Sequence, residues 1–125
     1  MKKSEFENIV KKRTHLINEV LGKKNTEYAT EEDCFHNFKA AGKKESISPV
    51  AALRGMMLKH VISVDDLMSL YEKDASKLKE KVIEEKLGDY INYLILLEGL
   101  LLENLKGVTK MSTTALDERK LNGSN

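Results

Sequence analysis

Apolar residues recur at helical spacing along most of the chain, and nowhere do they alternate with polar ones as a half-buried strand requires. Phe6, Ile9, Val10, Leu16, Ile17, Val20 and Leu21 form one stripe across the first 24 residues, opposite Lys2, Lys3, Lys11, Lys12 and Arg13. This spacing predicts a helix that Ser4 can cap and Gly22 can end. Asn25 and Thr26 then favour a turn. Thr30 and Asp33 have the spacing of a capping box, and Cys34, Phe35, Phe38 and Ala41 supply one apolar face. A short helix from about Glu31 to Ala41 is the reading. Ser48 followed by the only proline, Pro49, is the N-cap and N1 arrangement that starts a new helix.

From there Leu53, Met57, His60, Val61, Val64, Leu67, Met68 and Tyr71 keep phase for about six turns. Ser63 and Asp66 could cap a separate helix, but the unbroken stripe favours one continuous helix to about Glu72. KDASK, residues 73–77, then turns into a final helix from about Lys77 to Leu105. From Ile91 onward that helix is apolar nearly all round, so it is expected to be the most buried element. The tail after Gly107 is polar and weakly patterned, hence expected to be mobile or a short surface helix. The pattern predicts an all-α, single-domain bundle of about four helices over residues 1–106 and a polar tail over 107–125.

Composition narrows the class without naming a function. With 125 residues there is room for one modest core, and 21 basic against 20 acidic side chains give no global pull toward a polyanion. The charge is uneven, however. Residues 1–60 carry 12 basic and 8 acidic groups, residues 61–125 carry 9 and 12, and the asymmetry favours antiparallel packing or self-association. The lone Cys34 excludes an intramolecular disulfide. MKKSEFENIVKKR lacks the apolar run of a signal peptide, and Tyr93 to Leu102, interrupted by Glu98, is too short to span a bilayer. A cytoplasmic protein without membrane contact is the expectation. The final helix has more apolar circumference than short neighbours can cover, which predicts a homodimer or higher homo-oligomer.

Three constellations could carry chemistry. Glu85, Asp89 and Asn92 lie within roughly 60° of arc on the final helix, on a face that turns apolar at Leu96 and Leu100. Carboxylates entering a core need a cation or donors, and Mg²⁺ favours such oxygens together with water and phosphate. A solvated Glu85 and an Asp89 paired with a lysine would satisfy the same residues structurally. Lys59, Ser63 and Asp66 share an arc of the preceding helix and could meet phosphate and metal across a groove from Asp89, or stand exposed. His60, displaced toward the apolar stripe, needs a polar partner in either case. The third set is Tyr28, Asp33, His36 and Asn37. Tyr28 could stack on a base, with Asp33, His36 and Asn37 along one side of the short helix, or Asp33 could cap and Asn37 anchor a loop. His15 and Cys34 have no evident partners and read as structural. The chain contains no glycine-rich phosphate loop, zinc spacing or nucleophile elbow.

NTEYATEEDCFHNF, LRGMMLKHVISVDDLM and EEKLGDYINYLILLEGLLLE together resemble a family of small helical phage and prophage proteins close to the nucleotide-modification-associated helical domain. The three blocks occur in the family's order over about Asn25 to Glu103. The resemblance implies that Tyr28, Asp33, His36, Asn37, Lys59, His60, Ser63, Asp66, Glu85, Asp89 and Asn92 belong to one site. EEKLGDYINYLILL is also similar to the second metal motif of the MazG-like all-α nucleoside triphosphate pyrophosphatases, which hold Mg²⁺ between carboxylates on two facing helices. Those enzymes space Glu and Asp three apart, whereas Glu85 and Asp89 are four apart. Their paired glutamates on the partner helix have no equivalent, and Lys59, His60 and Asp66 stand there instead.

These resemblances imply a Mg²⁺-dependent nucleotide-binding protein of phage growth, extending to nucleotide pyrophosphohydrolysis. Asp66, Glu85 and Asp89 would hold the metal, Lys59 would neutralise phosphate, Tyr28 would face the base, and His60 or one of the acids such as Glu85 would orient water. The competing reading is a non-enzymatic interaction or oligomerisation module whose polar residues fix one helix packing. Nucleic-acid binding through the Lys2 to Lys24 face is the weakest reading, because that face has no interleaved aromatics.

Overall fold

A computed structural model describes residues 1–23 and 33–108. It has four α-helices and, among the described residues, no strand. Helix α1, Lys3–Ile17, runs on through a wider π-type turn, Asn18–Lys23. Helix α2 spans His36–Glu45, α3 Pro49–Asp74 and α4 Glu80–Val108. No described helix is long and apolar enough to cross a membrane. The tail beyond 108, and Tyr28 with Thr30, lie outside the described residues.

Each corner has a chemical cause. Ser48 caps α3 as the sequence suggests, its Oγ accepting the Ala51 N–H at 3.0 Å with Pro49 at the first helical position. The tight α2–α3 corner needs Gly42. A Cβ there would lie 2.8 Å from the Ile47 carbonyl oxygen, and the Gly42 carbonyl itself accepts the Ile47 N–H at 2.9 Å. Ser46 closes α2 in the left-handed region, φ 56°. At the other end, Asp74 accepts both the N–H and the hydroxyl of Ser76, and the short 3₁₀ turn Ala75–Lys77 reverses the chain into α4.

Several boundaries differ from the sequence reading. Helix α2 begins at His36, because the Asp33 carboxylate accepts the Phe35 N–H at 2.9 Å and the Asp33 carbonyl accepts that of His36. That turn occupies the residues assigned to a first helical turn, and LysLysGlu carries α2 on to residue 45 instead. Ser4 lies inside α1 rather than capping it; Lys2 holds the cap position.

The core is small and sits at one end of the bundle. Phe35, Phe38, Leu53 and Leu100 are its buried members, and Val50, Met57, Tyr93, Leu96 and Leu97 pack around them. Leu53 is the one fully buried large side chain among the described residues. This corrects the expectation that α4 is the most buried helix. Among the described residues, Leu100 is its one buried large apolar side chain, while Leu94, Ile95, Leu101 and Leu102 are 36–49% exposed. Helix α1 packs near the first turns of α4, at Glu84 and Gly88. The α1 stripe is corrected too: Phe6, Ile9 and Val10 are exposed, and no residue of α1 is buried. Its docking is polar. Lys12 donates to the Glu84 carboxylate at 2.5 Å and Arg13 to the Glu84 carbonyl at 3.1 Å.

Candidate functional site

Two glycines on α4 shape the site. A Cβ at Gly88 would meet the Arg13 guanidinium at 2.6 Å, and one at Gly99 would meet the tip of the Phe35 ring at 2.8 Å. Eleven residues apart, they lie within about 20° of one another on the helix. They let α1 and the start of α2 approach α4 closely at two points along one face. Between those points a cleft of about 440 Å³ opens. Asp89, Asn92, Tyr93 and Leu96 of α4 form one wall. Cys34, Asn37 and Phe38 at α2, Met56 of α3, and Val20 and Leu21 of the turn after α1 form the others.

The wall is mainly apolar, with few polar groups. Asn92 Oδ1 is buried and has no hydrogen-bond partner, an arrangement that leaves an acceptor's desolvation unrepaid. Asp89 is half exposed, and its Oδ2 lies 3.7 Å from His60 Nδ1, within ion-pair range but too long for a hydrogen bond. The His60 ring sits 4.8 Å from that of Tyr93, tilted by 35°. Thus the polar partner that His60 needs is Asp89, across the α3–α4 seam. Among the described residues, no lysine, arginine or histidine lines the cleft.

The structure brings together Asn37, Asp89 and Asn92 at the cleft, with His60 against Asp89. Glu85, Asp66, Lys59 and His36 are exposed, Ser63 is half-buried, and none of the five lines the cleft. Asp33 works elsewhere. Lys39 donates to Asp33 at 2.8 Å and to Glu103 of α4 at 2.6 Å. Those two hydrogen bonds push the Lys39 ammonium up to about 12. The Lys39 hydrogen bond and the Phe35 N–H hold the Asp33 carboxyl below its ordinary value. Among the described residues, no three His, Cys, Asp or Glu side chains converge on a point that could hold a metal.

A second cavity, about 460 Å³, lies between α1 and α4 around Ile9, Leu16, Ile83 and Leu87. Its charged groups already serve one another: the hydrogen bond from Lys12 to Glu84 raises the lysine's pKa, and Arg13 is held by the Glu84 carbonyl. The first cleft brings Asn37, Asp89 and Asn92 together and is therefore the candidate site. Sequence reasoning missed Tyr93, Met56 and the two glycines. The glycines carried the available signal, since each interrupts a run of good helix formers and so needs a close approach to justify it.

No family model, curated protein or solved structure matches this chain.

Proposed function

We propose that the protein binds a nucleotide in the cleft between α2, α3 and α4. The observation that carries this is a ligand-sized, mainly apolar cavity whose wall includes one carboxylate, Asp89, and the two amide residues Asn37 and Asn92. Phe38 and Tyr93 offer aromatic surface to a planar base. The resemblance of three sequence blocks to the phage helical proteins, and of EEKLGDYINYLILL to the MazG-like pyrophosphatases, supports the same reading.

The donor set fits a hydrated Mg²⁺ rather than a caged one. Mg²⁺ is commonly held by one or two carboxylates with water and substrate phosphate completing its shell, and Asp89, with Glu85 one turn away, could supply those carboxylates. The ion would neutralise phosphate charge in a cleft whose described wall residues include no cationic side chain. The MazG resemblance extends the proposal to hydrolysis of a nucleoside triphosphate, with His60 or Glu85 orienting water; release of pyrophosphate tests that extension by itself.

Cys34 lines the cleft and is the sole cysteine, which makes the test local. Nucleotides with Mg²⁺ should raise the melting temperature and slow maleimide labelling of Cys34 together. A panel of nucleotides that does neither would sink the proposal. Stabilisation without protection of Cys34 would move the ligand out of this cleft.

A second reading, an oligomerisation module, is favoured by a different observation. Leu94 and Leu101, and likewise Ile95 and Leu102, are seven residues apart and form two exposed rows on α4. The occupant we propose is a second copy of this chain, since its two halves carry opposite charge excesses.

A further inference from the structure

We infer that the exposed rows of α4 dock head-to-tail on α3 of a second copy, with Glu98 of one chain set over Gly55 of the next. This rests on the oligomerisation reading above and deepens it by naming the surface that the rows meet. Ala51, Gly55, Leu58 and Ile62 fall within roughly 60° of arc on α3, opposite the buried Leu53 and Val64. All four are exposed, Leu58 by 56% and Ile62 by 52%. Gly55 admits no neighbour among the described residues. A Cβ at Gly42, Gly88 or Gly99 would clash with one, whereas a Cβ at Gly55 would meet nothing within 4 Å. Glycine weakens a helix interior, so the close approach that offsets it at Gly55 is made by another molecule.

Charge decides what that molecule presents. Glu98 is exposed and lies midway between the row of Leu94 and Leu101 and the row of Ile95 and Leu102. Two-fold packing of α4 on its own copy about the centre of those rows would set Glu98 against Glu98, and like charges oppose such a contact. On α3 the matching centre is the notch at Gly55, with the exposed Arg54 and Lys59 on its two sides. Arg54, Lys59 and Glu98 form no ion pair among the described residues, which leaves these charges to pair between copies. Leu58 and Ile62 then meet the apolar rows on either side of Glu98. The two faces look away from each other, because α3 and α4 pack together through Leu53 and Leu100. A head-to-tail contact therefore leaves a face open at each end, and assembly continues past the dimer.

Two variants test this in mixture, Leu94→Lys with Leu101→Lys on α4 and Leu58→Lys with Ile62→Lys on α3. Each should be a monomer alone by light scattering at tens of micromolar, with its helical circular-dichroism spectrum kept. Mixed, they should form a dimer that grows no further, since the intact α3 face of the first receives the intact α4 rows of the second. Gly55→Gln, whose Cβ meets nothing within 4 Å in its own chain, should weaken wild-type association at least about tenfold, and it decides the matter if the α3 double variant fails to fold. An α3 variant that stays associated, or a mixture that stays monomeric, overturns the inference and leaves self-association standing. A wild-type protein that is itself monomeric overturns both.

Discussion

At the scale of single residues, Asp89 separates a ligand-binding role from a structural one. A buried carboxylate that anchored His60 would be costly to neutralise, roughly 3–5 kcal/mol, because its cation would be stranded. The geometry is otherwise: Asp89 is 49% exposed and 3.7 Å from an imidazole that is charged only when protonated. Asp89→Asn is therefore expected to change stability by less than about 1 kcal/mol while abolishing the Mg²⁺-dependent part of nucleotide binding. Urea denaturation of both proteins, run beside a Mg²⁺ and nucleotide titration, checks the two halves separately; a large loss of stability would make Asp89 a structural residue. The glycines give a second contrast. Adding a methyl at position 99 drives it into a buried Phe35 ring, whereas at position 88 it meets the mobile end of Arg13. Gly99→Ala should cost about 1–3 kcal/mol of overpacking, partly offset by about 1 kcal/mol of helix propensity, while Gly88→Ala should be close to neutral. Equal melting temperatures for the two variants would contradict the idea that Phe35 is seated in a fixed notch.

Among the elements, α3 and α4 were legible in the sequence because their apolar stripes are long and their start signals are strong. Pro49 after Ser48 located the start of α3, and unbroken phase past Ser63 excluded a second helix. Helix α2 was less legible, since Asp33 can cap a helix or close a turn before one, and the same residue types serve both uses. What no pattern revealed is how α2 is tied to α4. Lys39 sits between Asp33 and Glu103, and the three charges link the start of α2 to the far end of α4. The linkage with pH follows from the two shifts. Asp33 is depressed in the fold, so its contribution is present above the ordinary 3.8 and is lost as pH falls through its folded value. Lys39 is raised to about 12, so its contribution is present below 10.5 and fades as pH rises through about 12. Lys39→Met should lower the urea midpoint at neutral pH, and the gap from wild type should close in strong acid as both acids protonate. A gap that persists unchanged in strong acid would mean that something other than the charge of Lys39 does the holding.

For the whole molecule, periodicity announced four helices but not their mutual cover. Whether a stripe is buried depends on what reaches it, and the reach of α1 is set by two contacts, Lys12 and Arg13 on Glu84, that periodicity does not encode. The candidate site was half legible for the same reason. Asp89 and Asn92 share a helical face that spacing displays, but the cleft beside them exists because Gly88 and Gly99 admit neighbours at two points and leave the interval open. The uncovered length of α4 has its own consequence. Only six hydrophobic side chains are buried among the described residues, while Leu94, Ile95, Leu101 and Leu102 are exposed on the helix richest in leucine, on either side of the exposed Glu98. We propose that these rows pack on a second copy, which would bring the basic first half of one chain to the acidic second half of the other. Light scattering at tens of micromolar is therefore expected to give at least a dimer mass. Leu94→Lys with Leu101→Lys should return it to a monomer with its helical spectrum intact, because both side chains lie outside the core cluster of Phe35, Phe38, Leu53 and Leu100. A wild-type monomer mass under those conditions would overturn the self-association reading. Dissociation that also released a nucleotide would join the interface to the cleft, since Leu96 of the cleft wall is the immediate chain neighbour of Ile95 in the exposed row.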